Sequence, residues 1–388
     1  MNVYIVAASD AEADPERRKR WGDYWFKESL GQAIKALGHS ITENALEAEV
    51  VINCHGAAVQ HLPEWTYNIL WVIGHPDAVT PQGCWEYDAV FAESYKFAEH
   101  LRGQGIDAKH LPGASDMVPM DVEQTFDAIF VGNWRPGRTL DVPEDMELNV
   151  WGEGWREHLK RPNSTYGEYY PHDHLNELYA KARVLPNDTH ADMQKWGMNN
   201  PRHYDILAVR GEQVPTFAEC AAVLMDAVPT ERVMLDLGCG EKPRPGMIGV
   251  DKRGGARVAE EDLESGLPFF VRPKRSHVIV ADNLLEHIKN LIPLLNDCHQ
   301  ALLPNGRMHI RVPNAERGAT VAWADPTHVR AWVPDTFDYF NADHQRWQQY
   351  GQGYGIRPWH IVYCRAYPPG HPLERFIDVL MRPAVSDG

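Results

Sequence analysis

The run Val233-Met234-Leu235-Asp236-Leu237, which breaks directly into Gly238-Cys239-Gly240, constrains this chain more than any other stretch. An apolar strand ending in glycines lets the backbone come close to a ligand, and open parallel sheets bind ligands at that carboxyl edge. The next apolar run, Met247–Val250, leads into Asp251, an acid placed to accept hydrogen bonds from ribose hydroxyls. A dinucleotide fingerprint needs a third glycine at position 243; Pro243 stands there, with Pro245 close behind. Those prolines also withhold the helix N-terminus on which a pyrophosphate rests. The expected ligand is a nucleoside that carries no pyrophosphate.

The rest of the chain alternates strand and helix patterns, which predicts an α/β protein with parallel sheets. Strands are expected at Val3–Ala7, Val50–Asn53, Ile69–Ile73 and Ala89–Phe91, with a helix from Trp21 to Leu37 closed by Gly38. Ser94 caps a second helix that stops at Gly103 and Gly105, and Leu111–Thr125 has the prolines and glycine of a linker. A second unit starts at strand Ala128–Val131 and continues through strand Leu148–Trp151, helix Leu175–Ala182, strand Val184–Leu185 and a helix near Arg202. The third carries strands Val233–Asp236, Met247–Val250, His277–Ala281 and Met308–Val312, with a helix across Leu284–Leu303. The expectation is three Rossmann-like units, at residues 1–120, 121–225 and 226–388, which fits 388 residues.

S-adenosylmethionine is the obvious nucleoside cofactor for the third unit. Asp236–Gly240, Asp251, Asp262-Leu263, His277–Asp282 running into Asn283-Leu284-Leu285-Glu286-His287, and Leu303-Pro304-Asn305-Gly306-Arg307 together resemble a minimal class I S-adenosylmethionine-dependent methyltransferase. The resemblance spans about residues 228 to 380. It implies that Asp236, Gly238, Gly240 and Asp251 hold the cofactor, that Asp262 and Leu263 lie beside the adenine, and that Asn283 completes the set. The helix that usually joins the first two strands has no room between Cys239 and Met247, a departure from the family. The acceptor is expected near Asp325-Pro326-Thr327-His328, with His328 as general base, since imidazole titrates near neutral pH. The alternative is that His328 only hydrogen-bonds its loop; His287 reads as structural, and His360 as core or acceptor lining.

In the first two units, Leu70-Trp71-Val72-Ile73-Gly74-His75-Pro76-Asp77, Tyr87–Phe91 and Leu111–Asp116 resemble the acceptor half of GT-B glycosyltransferases of the spore-maturation type. Phe130-Val131-Gly132-Asn133-Trp134-Arg135 with Arg138, Val150–Trp155, Leu185–Met193 and Arg202–Ala208 are similar to that family's donor half. The resemblance implies a nucleotide-sugar donor held by Gly132, Asn133, Arg135, Arg138, Asn187, Arg202 and Asp205. Arginines beside a diphosphate stabilise the charge of the departing nucleotide, and backbone amides after Gly132 are expected to do the same. Asp205 is expected on the donor ribose; the alternative for Arg202 and Asp205 is a buried structural ion pair. His75 is the catalytic candidate on the acceptor side, its alternative a turn residue shaping the Pro76 bend. His172-Asp173-His174 lacks a third ligand and reads as a solvated loop, so no metal is expected.

Thirty-eight basic against 54 acidic residues leave a net charge of −16, which argues against a general nucleic-acid or anionic-membrane binder. No run reaches the length of a membrane span, and the start MNVYIVAASDAE has no basic segment of a signal peptide. The six cysteines form no C-x-x-C pair, so the reading is a reduced, cytoplasmic protein. The functional expectation is a bifunctional transferase that places a sugar and a methyl group on one glycan or other hydroxyl acceptor. Two alternatives stay open: a glycosyltransferase acting on a modified base of phage DNA, and a scaffold with degenerate catalytic folds.

Overall fold

The computed structural model describes residues 1–54, 63, 65–268 and 270–384. It is a mixed α/β chain with parallel, Rossmann-like sheets in two compact units. The first holds the described residues of 1–62 and 66–228, and the second those of 63–65 and 229–388.

The first unit contains two sheets. One runs in the order β2-β1-β3-β4-β5-β6, all neighbours parallel. Its strands are β1 (Asn2–Val6), β2 (Ser40–Ile41), β3 (Val50–Cys54), β4 (Tyr67–Val72), β5 (Ala89–Ala92) and β6 (Ala108–His110). β3 and β4 are mostly apolar and buried along their whole length, as strands covered on both faces must be, with Asn53 and Asn68 their buried polar residues. The helix Gly22–Ala36 supplies Phe26, Leu30 and Ile34 to one face. The helix Tyr95–Arg102, capped by Ser94 as expected, supplies Phe97 and Leu101 to the other.

The second sheet runs β10-β7-β8-β9, again parallel. It comprises β7 (Phe126–Val131), β8 (Leu148–Trp151), β9 (Ser164–Gly167) and β10 (Ala182–Val184). Its loops are tightly sewn: the Gly132 N–H donates to Trp151 O at 2.8 Å, and the Trp134 N–H donates to Glu153 O at 2.8 Å. The expectation that amides after Gly132 are free for a phosphate is therefore corrected at Trp134, whose N–H is already spent. The helix Phe217–Asp226 leaves this region and packs Phe217, Cys220, Ala221 and Leu224 into the core of the first sheet.

The second unit is a seven-stranded sheet in the order β13-β12-β11-β14-β15-β17-β16. The strands are β11 (Val233–Leu237), β12 (Ile248–Asp251), β13 (Val258–Glu260), β14 (Ser276–Asp282), β15 (Leu302–Pro313), β16 (Trp359–Ala366) and β17 (Phe376–Pro383). β17 is antiparallel to both neighbours, and the other pairs are parallel. The order reverses at β11, between β12 and β14, which is where open α/β sheets bind ligands. On one face Met234, Met247, Val278 and Val280 form a small cluster covered by Trp65, whose carbonyl accepts from Arg232 Nη1 at 2.9 Å.

Three expectations need correction here. The helix forecast across Leu284–Leu303 spans only Leu291–Ala301, because Asn283 takes a left-handed φ of 50° and turns the chain. The Glu264 carboxylate then accepts from Lys289 N–H at 2.8 Å and Asn290 N–H at 3.0 Å, holding the turn open. Leu284, Leu285 and Ile288 are buried without a helix, so their spacing misled. Leu303 belongs instead to the long strand β15. The helix forecast to Ala182 ends at Ala180, and the strand forecast at Val184–Leu185 is Ala182–Val184, which starts two residues early.

Gly152 marks the closest backbone approach: its φ is 144°, and a Cβ there would lie 2.3 Å from the Gly132 carbonyl oxygen. Gly152→Ala is expected to destabilise the first unit by about 2 kcal/mol or more. An unchanged urea midpoint for this variant would show that the two loops can part freely.

Candidate functional site

In the second unit, β11, β12 and β14 deliver three acids to one sheet edge. Asp236 is 1% exposed inside β11, and burial raises its pKa against the opposing pull of Arg244. Arg244 donates from its main-chain N–H and its Nη1 to the two Asp236 oxygens, at 2.8 and 2.7 Å, and from Nη2 to Asp282 Oδ2 at 2.7 Å. The Pro-rich connector that replaces the family's helix thus carries the counter-charge for two strand-end acids. Asp282 also faces Arg311 Nη1 at 3.6 Å, and Arg311 grips Asp378 of β17 with two hydrogen bonds of 2.7 and 2.9 Å.

Gly238 and Gly240 have φ of 68° and 64°, and a Cβ at Gly238 would strike Leu284 at 2.8 Å. Asp251 accepts from the N–H groups of Gly240 and Arg253 at 2.8 and 2.9 Å. Burial raises its pKa, but those bonds outweigh it and hold the carboxylate ionised below the usual range. Asp262 lies beside it through Lys252, which it meets at 3.3 Å, and caps the turn that buries Leu263. Asn283 donates to Asp282 Oδ1 at 2.8 Å. The predicted cofactor residues are therefore gathered around the carboxyl ends of β11, β12 and β14. Arg244, Lys252 and Arg253 were missed; buried acids inside apolar strands were the signal that a counter-charge had to be near.

His328 comes to this unit's Glu286 across 42 positions, because the Val329 N–H donates to Glu286 O at 2.8 Å and Arg330 Nη2 donates to the carbonyls of Ile288 and Lys289. Its Nδ1 donates to Ala322 O at 2.6 Å, and its Nε2 faces Glu286 Oε1 at 4.0 Å. Burial, with Asp282 and Asp325 adding to it, pushes the Glu286 carboxyl up to about 7, against the pull of its own main-chain N–H and His328. The base role expected for His328 thus has only Nε2 to work with. His360, by contrast, pairs with Asp343 at 2.9 Å, away from this cluster in its bonding.

In the first unit the structure brings together nearly all the residues assigned to the donor. Arg135 Nη2 and Arg138 Nε converge on Asp188 Oδ2, at 2.6 and 2.8 Å, while Arg138 also donates to Asn133 O. Arg202 lies over the Phe130 ring at 4.2 Å and donates to Val131 O at 2.6 Å; a Cβ on Gly132 would meet its Nη2 at 2.6 Å. Asn200, the cap of helix Pro201–Val209, holds Asn187 Oδ1 at 3.0 Å and Asp188 O at 2.9 Å. Three arginines outnumber the two aspartates, Asp188 and Asp192, and leave an excess of positive charge there. His75 adopts a left-handed φ of 47° and reaches the same region, 4.7 Å from the His190 ring and 3.7 Å from Asp192 Oδ2. Asp188, His190 and Asp192 were not singled out from the sequence.

Asp205 does not pair with Arg202. It accepts from Ser115 Oγ at 2.6 Å, and burial pushes its carboxyl up to about 6. It lines a cavity of about 270 Å³ with Trp25, Ser115, Asp116, Met117 and His172, so the alternative of an Arg202–Asp205 ion pair is set aside. His172 stacks on Trp25 at 4.4 Å in a 3₁₀ turn, which makes it part of that wall.

No protein-family model matches the chain, and no curated protein matches it. Among solved structures, an S-adenosylmethionine-dependent methyltransferase from Archaeoglobus fulgidus is 17% identical over 42% of this chain and 91% of its own, with a TM-score of 0.27. One from Mesorhizobium loti is 16% identical over 42% and 96%, also at 0.27. A 16S rRNA adenine methyltransferase from Catenulisporales acidiphilia is 13% identical over 41% and 87%, at 0.28. None of the helices among the described residues is long and apolar enough to cross a membrane.

Asp205 fixes a pH dependence. Its folded pKa lies above the unfolded value of 3.8, so the folded state binds the extra proton and loses stability as pH rises from about 4 to about 6. Asp205→Asn, which still accepts from Ser115, is expected to remove that fall and to gain roughly 1–3 kcal/mol on wild type at pH 8. Parallel urea curves for the two proteins across this range would show Asp205 to be a solvated acid.

Proposed function

We propose that the second unit is an S-adenosylmethionine-dependent methyltransferase. The observation that carries this is the Asp251 carboxylate, held ionised at the end of β12 beside the left-handed Gly238 and Gly240 at the reversal of strand order. Its oxygens keep lone pairs for the two ribose hydroxyls, and the open glycine loop admits the amino-acid part of the cofactor. Asp262 and Leu263 would hold the adenine, and Asn283 would complete the cofactor site. The acceptor enters beside Asp325–His328, where His328 promotes loss of its hydroxyl proton. Calorimetry on the full chain is expected to show S-adenosylmethionine binding that Asp251→Ala weakens roughly 10- to 100-fold, the worth of hydrogen bonds to a charged group. Wild type that binds neither the cofactor nor its demethylated product ends this reading.

For the first unit we propose transfer of a sugar from a nucleoside diphosphate. The support is the excess positive charge of Arg135, Arg138 and Arg202 around Gly132, with His75 and His190 adjoining it. A leaving diphosphate accumulates charge as the glycosidic bond breaks, and fixed guanidinium groups stabilise it. Joining the two transferases in one chain raises the local concentration of a shared acceptor. Binding of UDP, GDP, dTDP or CDP is expected, with Arg138→Met weakening it at least about tenfold through loss of a charged hydrogen bond. A complex with the nucleotide seated away from Gly132 and Arg138 refutes the assignment.

A further inference from the structure

We propose that Glu286, His287 and His328 bind a divalent transition-metal ion; the ion's role in methyl transfer rests on the function proposed above, but its binding does not. Glu286 is 1% exposed, and neither of its carboxylate oxygens accepts a hydrogen bond from another residue. A buried carboxylate without a partner is costly, and a cation beside it removes the cost.

The two imidazoles are turned to supply that cation. His328 Nδ1 lies 2.6 Å from the Ala322 carbonyl, which can only accept, so Nδ1 carries the proton and Nε2 keeps its lone pair. Thr327 Oγ1 gives its own proton to Asp325 Oδ1 at 2.6 Å, so it accepts from His287 Nδ1 at 2.9 Å. That leaves His287 Nε2 with a lone pair as well. A ring N–H tied to an oxygen, with the other nitrogen bare, is the orientation that outer partners impose on metal-ligating histidines.

The spacing also fits. His328 Nε2 and Glu286 Oε1 are 4.0 Å apart, and one ligand atom from each residue lies within 4.8 Å of the other two. Ligand atoms around one tetrahedral ion with bonds of about 2.0–2.2 Å sit about 3.3–3.6 Å apart, so the first pair closes by roughly half an ångström and the third ligand by somewhat more. Two imidazoles and one carboxylate suit zinc, iron, cobalt or manganese better than magnesium or calcium. Three protein ligands leave a coordination position open, and an acceptor hydroxyl bound there loses its proton more readily. The acceptor oxygen then forms its bond to the methyl carbon as the sulfur–methyl bond breaks. The electron pair returns to sulfur, giving a neutral thioether, and the hydroxyl proton passes to water; His328, with Nε2 on the ion, promotes that loss through the ion and not as the proton's acceptor.

The test is a titration of chelator-treated full-length protein with Co²⁺, followed by its visible absorption. One equivalent is expected to bind with a ligand-field band, and Glu286→Gln or His328→Ala should abolish that band. Thr327→Val, on an exposed loop position, should weaken cobalt roughly 10- to 100-fold by releasing His287. Asp251→Ala should bind cobalt normally while its affinity for S-adenosylmethionine falls. Wild type that binds S-adenosylmethionine but takes up no Co²⁺, Zn²⁺ or Mn²⁺ overturns the metal site and leaves the methyltransferase standing. Unchanged cobalt affinity in Glu286→Gln overturns it too. Cobalt uptake without cofactor binding keeps the ion and removes the cofactor reading.

Discussion

The guanidinium of Arg244 is the contact on which the second unit depends. It joins Asp236 of β11 to Asp282 of β14, and Arg311 carries the chain of charges on to Asp378 of β17. Asp236 and Asp378 are nearly buried, so each carboxylate would be expensive to hold ionised alone. Alternating charges solve this for the whole row at once and fix the ends of four strands in register. The ligand edge inherits that rigidity. Gly238 and Asp251 are positioned because the acids on either side of them cannot move.

In the first unit the same purpose is served by hydrogen bonds from uncharged donors to acidic side chains. Tyr204, on helix Pro201–Val209, bonds Glu93 at the end of β5, and Glu93 also accepts from the Asn199 N–H at 3.0 Å. The ring of Tyr204 leaves no room for a side chain at Gly113, where a Cβ would lie 2.5 Å away. Asp205, one residue on, reaches Ser115. One helix thus anchors the otherwise irregular segment after β6 and places the arginine cluster at its own N-terminal end, where Asn200 gathers Asn187 and Asp188.

Much of this was legible in the residues, and the failures have physical causes. Predominantly apolar runs announced β3, β4, β11 and β14, since strands buried on both faces need them. The left-handed turns at Gly238 and Gly240 could be placed because few residue types adopt them. The antiparallel pair β16 and β17 is not announced by a tight two-residue turn: the strands are joined across residues 367–375, in which Pro368, Pro369 and Gly370 read equally as loop. β2, β6, β9 and β13, of two to four residues each, are too short to show a period. Arg244 and Glu286 were invisible for another reason. Their importance comes from partners at a distance in the chain, and no local pattern records a pairing.

The small patch of Met234, Met247, Val278 and Val280 bears on how this chain can be divided. The short connector that follows Cys239 leaves that face without a crossover helix, and Trp65, from far upstream, covers it instead. A fragment starting at Pro229 would therefore carry the sheet but bare its thioether-rich underside to water. The two units are not beads that a single cut separates. A piece of the later fold is encoded inside the earlier one.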